Sequence, residues 1–183
     1  MKTTLFTTAA AVMAALLTGC STVCPTEGAL SWQKQLEQAV PVYGHRNWIV
    51  VADSAYPSQS NPAITTIYTG STQTEVLAYV LRIIEEAPHI QAVVMTDAEL
   101  AAVKEEAAPG IEAYRKELEA LLEGKQVSAE PHEDIIRKLD EDAKLFNVLL
   151  LKTDMTIPYT SVFIRLDCGY WDAEREAQLQ DSL

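Results

Sequence analysis

Apolar residues fall along this chain in short dense runs separated by longer amphipathic stretches. Trp48 to Ala52 is a buried strand, with β-branched Ile49, Val50 and Val51 in unbroken sequence and Asp53 closing it. Ile64 to Tyr68, Ile90 to Met95, Gln126 to Ala129, Phe146 to Leu151 and Ser161 to Leu166 predict five more strands. Helical spacing predicts a helix over Leu30 to Tyr43, ending before Gly44, and another over Gln73 to Ala87, stopped by Pro88. Further helices are expected over Ala98 to Ala107, capped by Thr96 or Asp97, over Ile111 to Leu122, ended by Gly124, and over Glu133 to Ala143.

Proline, serine and asparagine punctuate Ser54 to Pro62, a loop placed where an open α/β sheet feeds a ligand crevice. Thr153 to Pro158 is a turn-rich connection into the last strand, and the polar tail from Asp172 to Leu183 is a surface helix or a frayed end. Strands alternating with helices of this length predict an α/β domain of three layers, α/β/α, with a mainly parallel sheet and helices on both faces.

The first residues stand apart from this pattern. Met1-Lys2, an apolar run from Leu5 to Leu17, and Leu17-Thr18-Gly19-Cys20 together form a signal segment ending in a bacterial lipobox. This predicts a signal peptide over 1–19 and a lipidated Cys20. A polar tether spans 20–29, the domain 30–171 and the tail 172–183. Ser21 after the cysteine points to an outer-membrane anchor facing the periplasm. Removing Lys2 with the signal leaves 13 basic and 26 acidic residues, a charge of −13. So acidic a chain repels phosphate backbones, which excludes nucleic acid as a partner and disfavours sugar phosphates; a neutral sugar is indifferent to that field. Cys24 and Cys168 either pair or remain two thiols, and the sequence leaves both open.

Two stretches carry the candidate chemistry: Tyr43-Gly-His-Arg-Asn-Trp-Ile-Val-Val-Ala-Asp53 and Pro158-Tyr-Thr-Ser-Val-Phe-Ile-Arg165. Gly-His with Asp eight residues after the histidine, an acidic leucine-bearing helix from Pro109 to Leu122, and Pro-Tyr before an apolar strand resemble the D-ribose pyranase and L-fucose mutarotase family. The resemblance covers roughly Leu30 to Trp171. It implies the same three-layer fold, a cofactor-free sugar isomerase, and rings with sites near subunit contacts, hence a homo-oligomer. It implies His45 as the proton-transfer group, with Asp53, Tyr159 and the backbone around Thr160 binding sugar oxygens. His132, opening a helix as His-Glu, matches a second family histidine across an insertion. Ser161 stands where the family has asparagine, keeping a hydrogen-bonding group but losing the amide fork.

Each of these residues also has a purely structural reading. His45 can bond a backbone carbonyl at a helix end, Asp53 can cap the following turn, Tyr159 can pack under the sheet edge, and His132 can face solvent. Interconverting anomers or ring forms needs one group to take a proton from the anomeric hydroxyl and another to give one to the ring oxygen, work suited to histidine. No nucleotide motif or nucleophile elbow is present. His45, His89 and His132 lack close metal-ligand spacing, so no metal or cofactor is expected, and His89 reads as an exposed loop residue. A non-catalytic sugar-binding lipoprotein on the same fold is the alternative to the enzyme, and a purely structural lipoprotein a third reading.

Overall fold

The structure, a computed structural model, is described for residues 30–183. The signal segment, Cys20, the tether and Cys24 lie outside the described residues, and with them the Cys24–Cys168 question. Six strands form one sheet in the order β2-β5-β1-β6-β3-β4: β1 Trp48–Ala52, β2 Ile64–Tyr68, β3 Ile90–Asp97, β4 Gln126–Glu130, β5 Val148–Lys152 and β6 Val162–Cys168. Five strands run the same way. The sixth, β6, lies between β1 and β3 and is antiparallel to both. The sheet is therefore mainly parallel, as expected, but mixed at its centre.

Helices α1 (Trp32–Ala39), α2 (Gln73–Glu85) and α3 (Ile111–Leu122) cover one face. They pack on Ile49, Val51, Val94, Leu149, Leu151, Val162 and Ile164. Helix α4 (His132–Asp142) covers the other, where Ile135 and Leu139 meet Trp48, Val50, Leu150 and Phe163. Every residue of β1 is buried, which explains its continuous apolar sequence: strands covered on both sides cannot alternate. The last residue of α4 is tied back to the sheet, since Asp142 Oδ2 accepts from Trp48 Nε1 at 2.9 Å and Arg165 Nε at 2.8 Å. Helix α5 (Ala173–Gln180) buries none of its side chains and is capped by Asp172, which accepts from the Arg175 amide.

Two predicted helices are shorter in the structure. The first stops at Ala39 with Val40 as its cap, because Pro41 has no N–H to donate to the ladder. The one expected over Ala98 to Ala107 is a single 3-10 turn, Ala98–Ala102. Arg115 Nη1, reaching back from α3, donates to the carbonyls of Leu100 and Val103. The Glu105 carboxylate accepts the amides of Gly110 and Glu112 and so caps α3 instead of extending its own helix. His89 is not an exposed loop residue either: its Nε2 donates to the Val40 and Tyr43 carbonyls, both at 3.1 Å, closing the end of α1.

A buried polar cluster locks the strand ends together. The Gln73 carboxamide, at the start of α2, donates from Nε2 to the Val51 carbonyl at 2.9 Å and the Thr160 carbonyl at 2.8 Å. Its Oε1 lies 2.6 Å from the Thr153 hydroxyl, and Tyr114 donates to the same Thr160 carbonyl. Burial pushes the Tyr114 phenol well above its ordinary value. Gln73 thus joins β1, the β5 exit and the β6 entry in one set of contacts. Gln73→Leu fills the space but takes the side-chain donor from the Val51 carbonyl and one of two partners from the Thr160 carbonyl and the Thr153 hydroxyl, so a loss of about 1–3 kcal/mol is expected from urea denaturation, with the m-value unchanged.

Candidate active site

Because β6 runs against its neighbours, its entry lies at the sheet edge where β1 and β3 end. Three chain segments therefore meet there: Asp53 after β1, Asp97 closing β3, and Pro158-Tyr159 before β6. The start of α4 adds His132 and Glu133, and the loop after β1 adds Ala55, Tyr56, Pro57 and Gln59. They enclose an open cavity of about 330 Å³, roughly the size for one small molecule. Among the described residues, no lysine or arginine lines it.

His132 is held from several sides. Its Nδ1 lies 3.1 Å from Asp97 Oδ1, while its backbone amide donates to both carboxylate oxygens of Glu99, at 3.2 and 3.1 Å. The rings of Tyr159 and Phe163 stand edge-on to the imidazole, with centroids 5.9 and 6.4 Å away. Asp97, expected as a helix cap, makes no capping bond. Its side chain is 1% exposed, and Oδ2 has no partner among the described residues. Burial pushes the Asp97 carboxyl above its ordinary value; the hydrogen bond and charge of His132 oppose that, and Glu99 and Asp53 add to it.

Asp53 is engaged within the protein. Oδ1 accepts the Ala55 amide at 2.8 Å, as in the expected turn cap, and Oδ2 accepts the Ser161 hydroxyl at 2.8 Å. Tyr159 is 40% exposed and has φ +59°, a left-handed backbone that L residues adopt only at a cost. That twist turns its ring towards His132. Tyr56 packs on Phe163 with centroids 6.2 Å apart, and burial pushes its phenol up to about 12.

No family model matches the chain, and no curated protein matches it. Solved structures do. The chain superposes on Bacillus subtilis RbsD complexed with D-ribose with a TM-score of 0.51 at 19% identity, covering 79% of this chain and 98% of that one. It superposes on the fucose mutarotase of Streptococcus pneumoniae in complex with L-fucose with a TM-score of 0.50 at 18% identity, covering 73% and 91%. The fold is theirs.

Within this RbsD-type fold the residues singled out from sequence divide. Asp53, His132, Tyr159 and Ser161 gather at one sheet edge. His45 does not join them in the same chain. Strand β1 is about 16 Å long at ~3.3 Å per residue, and His45 precedes it, so it lies at the opposite edge. There its Nδ1 contacts Asp167 Oδ1 at 2.6 Å, with its side chain 49% exposed. Asp97, Glu99 and Asp167 were not anticipated. Asp97 carried the same mark as Asp53, an acid closing an apolar run, but a helix expected after it made it read as a cap.

Asp97 makes acid–base behaviour of the fold measurable. A carboxyl raised on folding contributes stability that is fully present below its ordinary value and lost as pH rises through the raised one. Asp97→Asn is expected to remove that falling slope, so its stability relative to the unsubstituted protein improves as pH rises above about 4 in urea denaturation series.

Proposed function

We propose that this protein is a mutarotase- or pyranase-like isomerase of a neutral monosaccharide, with His132 as the proton-transfer group inside the cavity. One observation carries this: a carboxylate-paired imidazole, a phenol and a strand-end aspartate share a sugar-sized hollow that no lysine or arginine among the described residues lines. Two proteins of the same fold support it, one holding D-ribose and the other, a mutarotase, holding L-fucose. The absence of lysine and arginine from the lining disfavours phosphorylated or carboxylated sugars.

The chemistry follows from what the cavity offers. With Nδ1 directed at Asp97, Nε2 of His132 is the nitrogen available to a substrate. It takes the proton of the anomeric hydroxyl; the anomeric oxygen forms a carbonyl, and the bond from the anomeric carbon to the ring oxygen breaks. The ring oxygen keeps that electron pair and takes a proton from the Tyr159 hydroxyl, which the imidazolium then restores. Rotation and closure in the reverse sense give the other anomer or ring form. No cofactor enters these steps.

His45 reaches such a cavity only from a neighbouring copy. A homo-oligomer that sets one chain's His45 edge against another's His132 edge reconciles its sequence context with its position. The alternative, sugar binding without turnover, is favoured by one observation: both Asp53 oxygens and the Ser161 hydroxyl are already bonded to each other or to backbone.

Exchange between anomers of ribose, fucose and galactose is measured by NMR with the full chain. His132→Ala is expected to slow it about a hundredfold or more. His45→Ala is also expected to slow it, and mixing the two variants should restore exchange, because some cavities then combine intact residues from different chains. Slow exchange by the unsubstituted protein despite sugar binding supports the alternative; neither exchange nor binding ends both. We also propose that Cys20 carries the lipid and holds the domain at the outer membrane, facing the periplasm. Cys20→Ser should move the protein from the membrane fraction to the soluble one.

A further inference from the structure

Asp97 is a carboxylate at the cavity to which the sugar chemistry gives no direct contact, and its geometry differs from that of Asp53 beside it. Asp53 uses both oxygens, Oδ1 on the Ala55 amide and Oδ2 on the Ser161 hydroxyl. Asp97 has one partner, His132 Nδ1, and leaves Oδ2 shielded from solvent and unbonded among the described residues. A carboxylate placed for stability alone would not leave an oxygen orphaned, because burial without a partner costs on the order of 1–3 kcal/mol or more. Glu99 meanwhile fixes the same histidine by its backbone amide, and two aromatic rings limit the tilt of its imidazole.

A neutral imidazole carries one N–H, and a carboxylate can only accept. An ionised Asp97 therefore requires the proton on Nδ1 and leaves the Nε2 lone pair bare. A protonated Asp97 would give the opposite tautomer, with Nε2–H and no imidazole lone pair facing the cavity. We infer that Asp97 is a positioning residue, holding His132 in the Nδ1–H tautomer so that Nε2 is the base of the site. The carboxylate also stabilises the imidazolium formed once the sugar proton arrives, since the charge then appears beside a fixed, buried anion. This rests on the sugar-isomerase reading for its purpose, but not for its test.

The test reads the tautomer directly. Long-range proton–nitrogen correlation spectra of the full chain, labelled at histidine nitrogens and assigned with His132→Ala, report which ring nitrogen of His132 bears the proton near neutral pH. Nδ1–H is expected, and a predominant Nε2–H form in the unsubstituted protein overturns the inference. Asp97→Asn and Asp97→Ala are expected to shift the population towards Nε2–H and to slow anomer exchange about tenfold or more, with a cooperative unfolding transition and sugar binding kept. An unchanged tautomer and rate in a folded variant also overturn it. A shifted tautomer in a protein that exchanges no sugar leaves the positioning role standing and removes the isomerase reading instead.

Discussion

The reversed direction of β6 is the constraint on which the rest of the molecule depends. A strand inserted antiparallel between β1 and β3 is entered at the edge where its neighbours are left. Its approach, Pro158 to Ser161, is thereby carried to Asp53 and Asp97. The same strand ends at the far edge, where Asp167 meets His45. An all-parallel sheet of the same composition would have put Tyr159 and Asp167 at exchanged edges and left the cavity without its phenol. The strand bears this central position because Val162, Ile164 and Leu166 face one layer of helices while Phe163 faces the other.

Polar groups behind the cavity hold what the strand direction brings together. Gln73, Thr153, Thr160 and Tyr114 bond directly to one another, so the ends of β1 and β5 and the start of β6 cannot drift independently. Such a network rigidifies when complete and is costly when broken. Asp97, a few residues away, is the opposite case: incompletely satisfied, raised by burial and held down by a histidine. Closed polar bonding supports the cavity from behind, and unclosed bonding lies on its wall, where a proton has to move.

Much of the fold was legible because apolar periodicity reports burial directly. Strands β1 and β2 and helix α3 begin and end where their hydrophobic patterns do. Failures came where a distant side chain intervened: Arg115 takes the carbonyls that a helix over 98–107 would need, and no local pattern announces that. The site was half legible. Strand-end acids and a phenol at a strand entry lie at one edge by topology. His45 and Asp53 sit at fixed spacing along one extended segment, and that spacing separates them. Closeness in sequence across a strand means distance in space, whereas His132, remote from Asp53 in sequence, arrives at the same edge through α4.

The left-handed backbone at Tyr159 sets a limit on how this protein can be improved. Glycine would adopt φ +59° without penalty and relieve the turn. It would also remove the only aromatic edge that closes the imidazole's side of the hollow from that loop. Selection for thermal robustness and selection for a furnished binding chamber therefore act in opposite directions on one codon. A lineage that had lost its ligand would be free to settle that contest in favour of glycine.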